Sequence, residues 1–194
     1  MLVAGLFGKL PAHGDFVRRG WSDPLVARLD GWLTAGVAAL RSELGEAGFH
    51  HAMTTGPLWH AWLALDGQTC VHGVITPTVD SAGRLFMLLA GIAGPPGLVW
   101  AVASQQPGFA AAAEGAAYDA LAGTLDADAL QARLAEAVPV VDGVGRFLAD
   151  LSRPAASAFW VPNPAAGPPV ALPAEVLGPD TLGHLLRGAM IDAA

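Results

Sequence analysis

The apolar residues of the chain are grouped in short runs separated by glycine and proline, and in one long stripe with helical spacing. The first run, residues 2–7, predicts a strand, and the glycines and proline after it predict a shaped loop. Apolar residues then recur every three or four positions behind Pro24 as far as Gly45, which predicts a helix. One face of this helix needs a sheet to cover it.

Three consecutive apolar runs predict that sheet. Residues 58–65 and 69–75 flank Asp66 and Gly67, a pair typical of a two-residue hairpin turn. Residues 77–83 predict a second connection, and residues 85–92 predict a third strand. Because the connections are short, we expect the three strands to form an antiparallel meander.

The second half of the chain is alanine-rich and then proline-rich. Its predicted elements are two helices, a last strand, a loop or extended strap and a closing helix, at residues 109–121, 129–138, 157–161, 162–179 and 180–190. Asp126 or Asp128 is expected to cap the second of these helices. Together the patterns predict a single α/β domain, residues 1–194, with a mainly antiparallel sheet of about five strands flanked by helices on both faces.

Charge narrows the classes of partner. The 17 acidic and 10 basic residues give a net charge of -7, so the surface repels nucleic-acid phosphates and we expect no nucleic-acid partner. Residues 85–113 carry no charge, but Pro95 and Pro96 would break a spanning helix, so no membrane insertion is expected. The N-terminal residues lack a positively charged segment before an apolar core, so we expect no export leader.

Candidate chemistry is sparse. The six histidines show no helical metal-site spacing and Cys70 is the single cysteine, so the sequence predicts no metal and no cofactor. It contains no nucleophile elbow, phosphate-binding loop or catalytic cysteine signature, which predicts a protein that is not an enzyme. One alternative stays open, a small hydrolase that uses Asp80 with His60 or His72 as acid and base.

Two polar segments, residues 7–19 and 77–86, interrupt the apolar runs. Together with the apolar residues just before them, we name them the first motif (residues 5–19) and the second motif (residues 73–86). One interpretation is a partner-binding surface composed of Lys9, Asp15, Arg18, Asp80 and Arg84. The other is structural, because aspartates at turns accept hydrogen bonds from their own backbone and Asp80 can brace its loop through Arg84. Residue patterns alone leave both interpretations open.

The tryptophans raise the same question of core against surface. Each of Trp32, Trp59, Trp62, Trp100 and Trp160 lies in a segment rich in leucine, valine and alanine, so we expect core positions for them. Trp21 lies beside Arg19 and Gly20 ahead of the long helix, and we expect it to be the exposed one.

The two motifs resemble the signatures of the TagF family, also called ImpM. The run from Gly5 to Pro11, followed by residues 14–17, is similar to the family's opening signature, and residues 30–33 fit its following helix. The second motif resembles the family's strand, Pro-Ser-Val-Asp turn and Gly-Arg-Tyr-Phe-Pro-Leu strand, with the departures Thr78, Leu85 and Met87. The resemblance extends over residues 3–90, whereas the helical and proline-rich residues 107–194 and the late strand at 157–160 match only loosely.

Membership in this family implies a longin-like or profilin-like fold. It also implies a cytoplasmic, non-catalytic accessory protein of the bacterial type VI secretion system that restrains apparatus assembly after translation. The implied partner is the system's forkhead-associated scaffold protein. A structural subunit of the apparatus is the alternative, since a fold alone does not fix a function.

Overall fold

The structure is a computed structural model, and it describes residues 1–65, 68–161, 170–172 and 178–187. In these residues one antiparallel sheet contains seven strands in the order β2-β1-β5-β4-β3-β6-β7. The strands are β1 (Val3–Gly8), β2 (Val17–Arg19), β3 (Trp59–Ala64), β4 (Cys70–Val79), β5 (Leu85–Gly94), β6 (Ser157–Trp160) and β7 (Val170–Leu172).

Helices cover both faces of this sheet. They are α1 (Asp23–Thr55), α2 (Pro96–Gln105), α3 (Pro107–Leu121), α4 (Ala127–Glu136), α5 (Gly143–Ser152) and α6 (Asp180–Arg187). The predicted end of the long helix at Gly45 is a break rather than an end: Gly45 takes a φ of 67°, and the chain continues as a second helical segment to Thr55. Asp126 caps α4 as predicted, accepting a hydrogen bond from the amide of Ala129 at 2.8 Å.

Two cores result from the alternation of side chains along the strands. Val71 and Ile75 of β4 pack in a cluster with α1 and α6, whereas Val74 of the same strand packs in a cluster with α3 and α4. Cys70 is buried as expected, beside Trp62 and Val99 of α2. The α/β class, the mainly antiparallel sheet and the helices on both faces are therefore confirmed.

Several details differ from the sequence-based expectation. The sheet contains β2 and β7 in addition to the five expected strands, and both are only three residues long. Residues 77–79 belong to β4 rather than to a connection; β3 pairs with β4 only as far as Ile75, so the missing N–H of Pro77 breaks no hydrogen bond to β3. The expected turn at residues 66–67 and most of the expected strap at 162–179 lie outside the described residues.

Trp21 is a further correction, because it is buried and not exposed. Its indole nitrogen donates a hydrogen bond to the carbonyl of Val3 at 3.3 Å. The ring lies directly against Gly5, where a Cβ would approach Trp21 Cδ1 to 2.5 Å. Gly5 of the first motif is thus the small residue that lets this indole pack on β1.

Candidate functional site

Sheet pairing brings the two motifs together. The first motif leaves β1 at Gly8, which lies opposite Leu88 of β5, and the second motif forms the turn between β4 and β5. Gly8 has a φ of +139°, and a Cβ at this position would lie 2.1 Å from the carbonyl oxygen of Met87. Only glycine fits this close approach of two backbones, which directs Lys9 toward the β4–β5 turn.

Lys9, Asp80 and Arg84 form a group that we name the ion cluster. Lys9 Nζ and Arg84 Nε each donate to Asp80 Oδ2 at 2.7 Å. The other carboxylate oxygen, Oδ1, accepts from the backbone amides of Ala82 at 3.0 Å and Arg84 at 2.9 Å. Lys9 and Asp80 are buried, whereas the Arg84 side chain is 54% exposed. The ion cluster therefore ties the first motif to the second across the interior of the protein.

Asp80 is held as an anion. Its burial by itself raises the pKa, but the hydrogen bonds from Lys9, from the amide and guanidinium of Arg84 and from the amide of Ala82 outweigh burial and lower the pKa of Asp80 well below its ordinary value. Four donors occupy the two carboxylate oxygens, so this carboxylate braces the turn.

The loop of the first motif is fixed against the same turn. The amide of Ser81 donates to the carbonyl of His13 at 2.9 Å, and the Arg84 guanidinium donates to the carbonyl of Gly14. Phe16 stacks on Phe7, with centroids 5.9 Å apart, and meets Phe86 edge-on at 4.8 Å.

Phe16 also covers the ion cluster, since its ring centroid lies 5.0 Å from Lys9 Nζ while 46% of the residue remains exposed. Phe16 was not among the residues predicted to bind a partner. A large aromatic side chain between the charged residues Asp15 and Arg18 is the sequence feature that could have identified it.

The five residues predicted to form one binding surface divide into two groups. Asp15, Arg18 and Arg84 are exposed and lie around the ion cluster. Lys9 and Asp80 are only 4% and 3% exposed, which favours the structural interpretation over the binding-surface interpretation for these two residues. Their mutual charge neutralisation makes burial of the pair tolerable.

Exposed ion pairs surround the buried cluster. Arg18 Nη1 lies 2.7 Å from Asp23 Oδ1, and both side chains are mostly exposed. Arg19 Nε lies 2.5 Å from Asp128 Oδ1, a contact that lowers the pKa of Asp128 and raises that of Arg19. The first motif therefore contacts the N-terminal turn of α4 as well as the second motif.

A cleft of about 310 Å³ opens beside the ion cluster. Residues of both motifs line it together with the second helical segment of α1 and the end of α3; they include Pro11, His50, Met53, Pro77, Leu85 and Leu121. The walls are mostly apolar, and the cleft is large enough for one or two side chains of a partner.

The hydrolase alternative required Asp80 beside His60 or His72, and the structure separates them. His72 precedes Asp80 by eight residues on β4, a distance of about 26 Å at the usual strand rise. His60 pairs with Val74 of β4, which places it about 20 Å from Asp80 by the same measure. An acid and a base must lie within hydrogen-bond reach or one water, so neither pair can form.

His60 and His72 instead pack with Trp160, with ring centroids 5.8 and 5.7 Å from it. Burial lowers the pKa of His72 to about 4, and it lowers that of His60 against the opposing effect of Glu114, whose Oε2 is 3.2 Å from His60 Nε2. His72 Nδ1 lies 3.0 Å from the carbonyl oxygen of Ala61, so the neutral imidazole donates there.

The described residues contain neither a cluster of metal-binding side chains nor a helix that could span a membrane. Across residues 1–65, 68–161 and 178–187, no three histidine, cysteine, aspartate or glutamate side chains converge on a position for a metal ion. Nor does any helix in the described part of the chain have the length and apolar character needed to cross a bilayer.

Comparisons with known proteins found a family model and a solved structure that this chain resembles. Residues 5–137 match the family model for the TagF N-terminal domain, described as type VI secretion system-associated. The chain is also similar to the crystal structure of PA0076 from Pseudomonas aeruginosa PAO1, with 26% identity and a TM-score of 0.75 over 94% of this chain and 93% of that chain. A comparison with curated proteins gave no match. The family match includes both motifs and ends before α5.

Proposed function

Because this chain belongs to the family of TagF N-terminal domains, which is associated with the type VI secretion system, we propose that it is a non-catalytic, cytoplasmic regulator of that system. It binds the forkhead-associated scaffold protein and thereby restrains assembly of the apparatus after translation. The observation that carries the proposal is the ion cluster, which joins the two family motifs and fixes the shape of the surface around it.

The surface around the ion cluster has the composition of a recognition site. Phe16 and the guanidinium groups of Arg18 and Arg84 are exposed or half-exposed, and aromatic and arginine side chains contribute most to binding energy at interfaces. Phe16 is also held in place on its inner side by Phe7 and Phe86. A rigid aromatic anchor loses little conformational entropy when it binds a partner.

Arg18 is the side chain best placed to exchange partners. Its ion pair with Asp23 is exposed on both sides, so breaking it costs roughly 1 kcal/mol or less. An acidic side chain on the scaffold can therefore replace Asp23. The apolar cleft beside Pro11 and Pro77 accepts a neighbouring side chain of the same partner.

Deleting the gene for this chain in its own bacterium distinguishes a repressor from a structural subunit. A repressor predicts more assembled apparatus and more secretion when the gene is deleted. A structural subunit predicts that assembly is lost, and that result would contradict the proposal. Purified chain and purified scaffold provide the second test, because the proposal also requires that they form a complex in solution.

A further inference from the structure

Helix α5 leaves much of its apolar side exposed. Val144, Phe147, Leu148 and Leu151 follow the i, i+3, i+4, i+7 spacing of one helix face, and they are 67%, 60%, 51% and 72% exposed. Val140, just before the helix, is 94% exposed. We name these five residues the α5 stripe. Most amphipathic helices bury such a face. In the described part of the chain this face stays at least half exposed, although Val140, Val144 and Leu148 also line a cleft beside α2.

A neighbouring side of α5 is attached to α2, which keeps the stripe from turning inward. Ala149 is fully buried there, and the Asp150 carboxylate lies directly against Gly97, where a Cβ would come within 2.1 Å of it. The indole nitrogen of Trp100 donates to Ser152 Oγ at 3.2 Å, and the Gln105 amide donates to the carbonyl of Gly145 at 3.2 Å. These contacts hold α5 in one orientation with the stripe outward.

We propose that the α5 stripe is a homodimer interface, on which the same stripe of a second copy of this chain packs. The helical part of the stripe is symmetric in spacing about the point between Phe147 and Leu148, and all four residues are large and apolar. In an antiparallel twofold pair, these two residues lie beside the axis, and Val144 of each copy meets Leu151 of the other. A surface that pairs with itself across a twofold axis must be self-complementary in this way.

Charge favours a second copy at this face. The chain as a whole carries a net charge of -7, so two copies repel each other over most of their surface. Around the stripe, residues 138–153 contain Asp142, Arg146, Asp150 and Arg153, two charges of each sign, and α2 beneath them contains none. The two positive charges are balanced, which gives an anionic lipid surface little to attract.

The exposed area sets the expected strength. Five large apolar residues that are half or more exposed present roughly 500 Å² per copy. Pairing would bury about 1,000 Å² in total, which lies near the lower limit for a specific interface. The expected dimer therefore belongs to the class of weak, transient interfaces.

Sedimentation equilibrium tests the interface with the full chain alone. Between about 1 µM and about 500 µM, the mean mass should rise from 19.8 kDa toward twice that value. Phe147→Glu places a like charge beside the axis in each copy and should weaken the dimer at least about tenfold. Tyr118→Glu is the matched control, because Tyr118 of α3 is another half-exposed aromatic and the change adds the same charge.

Three results would overturn the proposal. A wild-type chain that remains monomeric over the whole range has no such interface. A dimer that persists in Phe147→Glu pairs through another surface, and a dimer lost equally in Tyr118→Glu responds to charge rather than to the stripe. Arg18→Glu, which alters only the proposed scaffold surface, should dimerise like wild type, so the two proposals fail separately.

Discussion

Lys9 and Asp80 lie 71 residues apart in sequence and form an ion pair of 2.7 Å with almost no exposed surface. Each charge is costly to bury alone, so either residue makes the other tolerable in the interior. The pair joins the loop after β1 to the turn between β4 and β5. Under the proposed function, the shape of the recognition surface then depends on two residues that are themselves buried.

Lys9→Met should destabilise the protein although it keeps most of the side-chain volume. The variant leaves Asp80 buried with only Arg84 and two backbone amides to stabilise its charge, and we expect a loss of about 2 to 3 kcal/mol in the free energy of unfolding. Urea unfolding measures it.

Arg18→Met is the control for this variant, since it removes an equally short but exposed ion pair. It should cost less than about 1 kcal/mol. Equal losses in the two variants would mean that burial of the Lys9 pair has no special role.

Gly8→Ala tests the close approach of the two motifs. Its Cβ would lie 2.1 Å from Met87 O, which β1 and β5 can relieve only by separating, so we expect a loss of about 3 kcal/mol or more. Gly83→Ala has a similarly positive φ of +80° but nothing within 4 Å of the new Cβ, and it should cost only about 1 kcal/mol. Thermal unfolding of both variants provides the comparison, and equal effects would refute steric exclusion at Gly8.

Acid should weaken the fold through His72. Its folded-state pKa of about 4 lies below the ordinary 6.5, so the unfolded chain takes up the proton first as the pH falls. The contribution of neutral His72 is complete above about pH 6.5 and is lost progressively toward pH 4, by about 3 kcal/mol in total. The lowered pKa of His60 acts in the same direction. The ion cluster does not account for this range, because Asp80 becomes protonated only below its ordinary pKa of 3.8.

Urea unfolding of wild type and His72→Leu at several pH values between about 7 and 4 tests this assignment. The variant should lose most of the slope while it remains folded. An unchanged slope in His72→Leu would place the acid sensitivity elsewhere.

Thr78 offers a test in the stabilising direction. Its hydroxyl is buried in the second motif with no hydrogen-bond partner among the described residues. Thr78→Val has nearly the same shape and removes the unsatisfied group, so we expect a gain of about 1 kcal/mol in the free energy of unfolding. A loss of that size in urea unfolding would indicate that the hydroxyl has a partner.

Much of the fold could be predicted because periodicity reports burial. The meander of β3, β4 and β5 and the stripe of α1 followed from apolar spacing. Helix α2 was not among the predicted elements, because Pro95 and Pro96 interrupt the apolar run there, although proline is well tolerated in a first helical turn. Helix α5 was not predicted because its segment contains two glycines, which disfavour a helix. Its apolar face also lies against no predicted sheet or helix.

The site was only half predictable. Its residues stood out as charged positions at the ends of apolar runs, and the bracing of the turn by Asp80 and Arg84 was foreseen. The contact of Lys9 with Asp80 was not, because it depends on β5 lying between β1 and β4 in the sheet. Local sequence contains no signal of that strand order, so residue patterns left open whether Lys9 and Asp80 lie at the surface or in the interior.

Isothermal titration of the purified forkhead-associated scaffold protein with this chain tests the central claim most directly. Wild type should bind, and Arg18→Glu should weaken binding by about tenfold or more, because it reverses a charge at the proposed surface. Arg41→Glu, which disrupts a comparable exposed ion pair with Glu46 on α1, should stay within about twofold of wild type. No binding by wild type, or equal affinities for wild type and Arg18→Glu, would contradict the account.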